Sequence, residues 1–121
     1  MSKKILIIED EKSIARALEL KFIHEGFDVI CVTDGENGIL YLEKETFDFI
    51  LLDLIMPKIN GFQVLETLNK KGVKIPPIVV LSNLSQADDE KRVMELGAIA
   101  FFVKSNISLF EIVEWVKKKL S

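Results

Sequence analysis

The residues able to do chemistry stand at the ends of short apolar runs. Glu9-Asp10 follows Ile5 to Ile8, and Asp53 follows Phe49 to Leu52. Ser82-Asn83 follows Ile78 to Leu81, and Lys104-Ser105 follows Phe101 to Val103. Gathered at one edge, these ends supply three carboxylates, a hydroxyl and an ammonium. Neighbouring carboxylates repel one another, so the cluster calls for raised pKa values or a divalent cation. Oxygen donors without His or Cys suit a hard ion, and carboxylates with waters and a phosphate describe Mg2+. A lysine and a hydroxyl opposite the acids suit phosphoryl oxygens. An aspartate can itself be the nucleophile and give an acyl phosphate. Singly, each has a plainer reading: Asp10 as a helix cap, Asp53 as a loop acid, Lys104 as a solvated lysine. The combination carries the weight.

The elements that must position these residues follow from the apolar pattern. The four runs, with Val29 to Val32, are continuous rather than alternating, as in parallel strands covered on both faces. Segments of helical period lie between them. The first, near Lys12 to Glu25, puts Ile14, Ala15, Leu18 and Phe22 on one face. The last, Leu109 to Leu120, puts Leu109, Ile112, Val113, Val116 and Leu120 together and opens with the Ser108-x-x-Glu111 capping box. Gly26, Gly72 and Gly97 stand where helices end in a left-handed residue, and Pro76-Pro77 stops the third helix before the fourth strand. Five βα units with right-handed crossovers give a doubly wound α/β domain, a five-stranded parallel sheet between helices. Ligands of such sheets bind beyond the carboxyl ends of the strands, where the acids, Ser82 and Lys104 fall.

Composition narrows the class. The 121 residues suit one domain, and 49% apolar with 29% charged residues mark a folded soluble chain. The longest apolar run, Ala98 to Val103, is far too short to span a bilayer. No signal-peptide core follows Met1, and the single Cys31 excludes an internal disulfide framework; both point to the cytoplasm. A net charge of -3 argues against a nucleic-acid surface over the whole domain. The Lys117-Lys118-Lys119 run reads as a complement to a helix C-terminus. His24 reads as a helix-end residue and Cys31 as a small buried hydrophobe, while Trp115 fits core or interface.

Ile-Glu9-Asp10-Glu, Leu-Leu-Asp53-Leu-Ile-Met-Pro57-x-x-x-Gly61, Val-Leu-Ser82 and Leu-Gly97-Ala98-x-x-Phe101-x-x-Lys104 resemble the receiver domain of two-component response regulators, across the whole chain. The resemblance implies a flavodoxin- or CheY-like three-layer sandwich forming a single receiver domain over 1–121. It implies that Asp53 accepts a phosphoryl group from a sensor histidine kinase or a histidine phosphotransfer protein. Mg2+ would be held by Asp10, by Asp53, by the backbone carbonyl of Ile55 and, through water, by Glu9. Lys104 would pair with Asp53 and then with the phosphoryl oxygens. Ser82 would swing toward the phosphate, followed inward by Phe101; Phe102 faces the other way by strand alternation. The domain would catalyse only its own phosphorylation and slow hydrolysis. Its output would be a population shift read by an unidentified downstream protein, with neither nucleic acid nor membrane bound by this chain.

The sequence departs from the pattern of that family at several positions. Ser105 stands where receivers usually carry proline, which leaves the Lys104-Ser105 loop either trans and reshaped or strained. Asn83 replaces a small residue, and Glu9 reaches one methylene further than the commoner aspartate. Ile55 and Leu84, two residues after Asp53 and Ser82, cannot orient an attacking water, so a long-lived phosphoryl group is expected. Ile99-Ala100 stands where receivers that dimerise through salt-bridged helices four and five carry acids, although Lys91 and Arg92 keep basic groups on helix four. That surface suits docking of a partner. The chain stops after the fifth helix, leaving a stand-alone receiver or a piece of a longer regulator.

A haloacid-dehalogenase-type phosphatase needs a second acid at Ile55. A flavin carrier needs a hydroxyl-rich phosphate loop where Asp10-Glu11 stands. A non-phosphorylated pseudo-receiver, acting purely as an interaction module, is hinted at only by Ser105.

Overall fold

The computed structural model describes residues 2–84 and 86–121. Five strands alternate with five helices: β1 (Lys4–Ile8), α1 (Lys12–His24), β2 (Asp28–Val32), α2 (Gly35–Lys44), β3 (Phe49–Leu52), α3 (Gly61–Lys70), β4 (Ile78–Ser82), α4 (Ala87–Glu95), β5 (Ala100–Val103) and α5 (Leu109–Leu120). A 3-10 turn, Lys104–Asn106, joins β5 to α5. The strands form one parallel sheet in the order β2-β1-β3-β4-β5. This is the doubly wound α/β fold expected from the sequence. The chain order reverses between β1 and β3, where a crevice opens at the carboxyl edge. Every expected run is a strand, four of them longer by one residue. The extension of β4 matters, because it places Ser82 inside the sheet opposite Val103.

Alternation along the strands divides the core into two layers. Ile5, Ile7, Phe49, Leu51, Val79 and Leu81 face α1 and α5, meeting Leu18, Phe22, Ile112, Val113 and Val116. Leu6, Ile8, Ile50, Leu52, Ile78 and Val80 face α2, α3 and α4. Each fully buried aliphatic side chain contributes about 1.5–3 kcal/mol of transfer free energy. Continuous apolar runs are thus a consequence of helices on both faces. Trp115 belongs to the first layer, edge-on to Phe49 and to Phe102, the latter with ring centroids 5.3 Å apart.

Helix ends follow local chemistry. The Ser108–Glu111 capping box forms at α5, and Asn60 with Gln63 forms a second at α3. Gly26, Gly72 and Gly97 all take positive φ after helices, as expected. Gly61 answers a different need. A Cβ there would lie 2.5 Å from the Asp53 carbonyl oxygen and 2.8 Å from Leu54 Cα. Only glycine lets α3 begin against the backbone that carries Asp53.

Candidate functional site

The sheet ladder continues past the strand ends and fixes the acids. The Glu9 N–H donates to the Val32 carbonyl and the Asp53 N–H to the Ile8 carbonyl, each at 3.0 Å. Both side chains are nearly enclosed, Glu9 2% and Asp53 3% exposed. A carboxylate oxygen from each of Glu9, Asp10 and Asp53 lies within 4.8 Å of the other two. Backbone N–H groups orient two of them: Glu11 donates to Glu9 Oε2 at 3.0 Å, and Ile55 to Asp53 Oδ1 at 3.2 Å. The N-cap position of α1 is held by Glu11, whose side chain makes no capping bond, so the plainer reading of Asp10 as a cap fails. Its carboxylate is available to the cluster.

Lys104 reaches this cluster from the far side of the sheet. Its Nζ lies 2.7 Å from Glu9 Oε1, 3.3 Å from Asp53 Oδ2 and 3.4 Å from Glu11 Oε1. The expected partner, Asp53, is therefore present, but Glu9 is nearer. Glu11 is a site residue that the sequence pattern did not single out, although its place two residues after Glu9 was a usable signal. Burial pushes the Glu9 carboxyl up to about 7, against the pull of Lys104 and the Glu11 N–H. Burial acts to lower the Lys104 pKa, and the ion pairs with Glu9 and Asp53 outweigh it, so the ammonium is held charged. No cis peptide bond occurs among the described residues, so the Lys104-Ser105 bond is trans and the loop is reshaped into the 3-10 turn.

A cavity of about 130 Å³ opens on the cluster, lined by Asp10, Glu11, Asp53, Ile55, Asn83 and Lys104. Ile55 is 52% exposed at its mouth, whereas Leu84 packs partly on the core layer below α4. Of the two apolar residues expected to flank the site, only Ile55 borders the cavity. Ser82 is fully buried, its Oγ accepting from the Leu84 N–H at 3.3 Å. Phe101 packs half-buried against the α2–α4 layer and Phe102 against the opposite one, as alternation requires.

The remaining singled-out residues lie away from the cavity. His24 ends α1 in solvent. Cys31 is half-buried, its thiol pushed up to about 11 by burial and donating to the Ala15 carbonyl. In the basic run Lys117 pairs with Glu25 and Glu114, and Lys119 lies over the Trp115 ring. On α4 both Lys91 and Arg92 are exposed, and Arg92 pairs with Glu66 and stacks on Phe62. Among the described residues no helix is long and apolar enough to cross a membrane.

Comparison with known proteins bears on this arrangement. Residues 5–117 match the family described as response regulator receiver domain. The chain is 40% identical over 102 residues to a probable transcriptional regulator, ycf27, of Porphyridium aerugineum, covering 84% of this chain and 42% of that protein. It is 38% identical to the transcriptional regulatory protein CiaR of Streptococcus pneumoniae, over 84% of this chain and 44% of that protein. The chain thus spans less than half the length of these curated relatives. The receiver domain of the Francisella response regulator 1452 superposes with a TM-score of 0.87 at 25% identity, covering 99% of this chain and all of that one. A CheY-like receiver from Methanospirillum hungatei shares the fold, with a TM-score of 0.88 at 24% identity, over 99% and 94% of the two chains.

Proposed function

Since this chain belongs to the response regulator receiver domain family of two-component systems, we propose that it is a phosphorylation-dependent switch in which Asp53 is the phosphoacceptor. The observation that carries this reading is the setting of the Asp53 carboxylate. It stands at the centre of the carboxyl edge, with Lys104 3.3 Å away and the Glu9 and Asp10 carboxylates beside it. The donor is a phosphohistidine on a sensor histidine kinase or phosphotransfer protein. The donor set is oxygen-only and anionic, which fits a hard divalent cation. Glu9, Asp10, Asp53 and the Ile55 carbonyl would hold Mg2+, which when bound supplies neutralising charge to the phosphoryl oxygens.

The chain's own groups do the rest. The Ile55 N–H holds Asp53 Oδ1 in place. An Asp53 oxygen attacks phosphorus, the P–N bond to the donor imidazole breaks with its electron pair leaving on nitrogen, and an acyl phosphate forms. Lys104 then transfers its contact from the carboxylate to the phosphoryl oxygens. Ser82 gives up its bond from the Leu84 N–H to donate to the phosphate, and Phe101 follows it inward. The α4–β5–α5 face changes and a downstream protein target reads it. The 3.3 Å approach of Lys104 to Asp53 supports this reading over that of a non-phosphorylated pseudo-receiver.

Incubation with acetyl phosphate and Mg2+ tests the assignment. Intact mass is expected to rise by one phosphoryl group in the wild type and to stay unchanged in Asp53→Asn. A phosphorylated Asp53→Asn protein, or an unmodified wild type, overturns it. With Ile55 at the cavity mouth, the phosphoryl group is expected to be long-lived, and Ile55→Gln should hasten its decay; unchanged decay counts against that role.

A further inference from the structure

The nearest partner of Lys104 is Glu9, not the acid it is expected to serve. We propose that Glu9 and Lys104 form a latch across the cation site: the lysine is an internal competitor of the divalent cation, and the length of the Glu9 side chain sets how strongly it competes. This rests on the reading of Glu9, Asp10 and Asp53 as cation ligands and adds to it the group that governs their occupancy.

Three observations carry the latch. The Glu9 and Lys104 side chains are 3% and 9% exposed, so their 2.7 Å ion pair is poorly screened by water. The pair cannot be given up without cost unless each charge finds another partner. For Glu9 that partner is the incoming cation. For Lys104 the alternatives already stand within reach, Asp53 Oδ2 at 3.3 Å and the exposed Glu11 Oε1 at 3.4 Å. The ammonium therefore passes from Glu9 to Asp53 and Glu11 without leaving the site. It also arrives where the phosphoryl oxygens form. An aspartate at position 9 would be a methylene shorter and could not close the same contact from the same backbone, which the Val32 carbonyl fixes. The glutamate is thus the device that keeps the lysine on the cation side until a cation arrives. Glu11 is a positioning residue that receives it.

Calorimetric titration of the whole chain with Mg2+ alone, near neutral pH and at fixed ionic strength, tests this with four proteins: wild type, Glu9→Asp, Lys104→Met and the double variant. The latch requires Glu9→Asp to be more favourable for Mg2+ binding when Lys104 is present than when it is methionine, the two ratios of Kd differing at least threefold. Lys104→Met alone should tighten Mg2+ by tenfold or more. Any direct loss from the shorter acid appears in both backgrounds and cancels in the comparison. Equal ratios in the two backgrounds overturn the latch while leaving the cation site standing. Absence of saturable Mg2+ binding in all four proteins overturns the site and the latch together. Circular dichroism checks that each variant is folded, and Lys104→Gln takes the place of a methionine variant that is not.

Discussion

Helices α3 and α4 lie on the same side of the sheet, have nearly equal lengths and are held very differently. α3 buries Gly61, Phe62, Val64, Leu65 and Leu68 and starts with a two-way capping box. α4 buries Val93 alone among its described residues and starts at Gln86, whose side chain makes no capping bond there. The strands beneath repeat the contrast, since β3 and β4 are buried throughout while every residue of β5 is half-buried. The acids thus sit on the densely packed part of the molecule, whereas two elements of the face proposed to respond, α4 and β5, have little apolar burial to lose on rearrangement. The acidic cluster and the face proposed to respond are separated by a single strand, β4, which carries Ser82 at its end.

The contrast can be broken most sharply at α3. Gly61→Ala forces a Cβ into the Asp53 backbone, and Leu65→Ala empties a fully enclosed site. Each should cost about 3 kcal/mol in urea denaturation. A loss below 1 kcal/mol for both would show that α3 is no better anchored than α4.

Next in size is the buried acid on the densely packed side. Glu9 is raised from an ordinary 4.5 to about 7 by burial. Below pH 4.5 the carboxyl is protonated folded or unfolded, and its ionisation costs the fold nothing. Between 4.5 and 7 the unfolded chain ionises first, so stability falls as pH rises, and above 7 the full penalty remains. Glu9→Gln should therefore raise stability at pH 8 by about 1–3 kcal/mol, the loss of the Lys104 pair offsetting part of the gain. That difference should vanish by pH 4, and Mg2+ should reverse it by favouring the wild type. Thermal melts across pH with and without Mg2+ decide the matter, and a flat difference would remove burial as the cause.

Smaller effects sharpen the contrast from the other side. Gln86→Ser supplies the cap that α4 lacks and should add about 1 kcal/mol, with slower amide exchange confined to the first turn of the helix. Met94→Ala, on the exposed face of α4, should change stability by less than about 0.5 kcal/mol. A large loss there would mean that α4 is packed more tightly than its burial indicates.

Much of this was legible from residue order because a parallel sheet writes its covered strands as apolar runs. The end of each run then points to the carboxyl edge of the sheet, and residue order alone groups Glu9, Asp10, Asp53, Ser82 and Lys104 there. What stayed hidden depends on side-chain reach. Sequence places Lys104 opposite Asp53, but only geometry shows the extra methylene of Glu9 closing the shorter contact and Glu11 standing by. The plainer reading of Asp10 as the cap of α1 fails by one residue, since the helix starts at Lys12 and puts Glu11 at that position. Trp115 fits core or interface by sequence, and the edge-on rings of Phe49 and Phe102 place it against the core.

That aromatic nest has a practical consequence. The chain holds one tryptophan, and its indole touches Phe102, the immediate neighbour of Phe101 on β5. Any slide or roll of β5 must alter the surroundings of that ring. The protein therefore carries its own optical gauge, and its emission spectrum can follow the strand in real time without an attached dye.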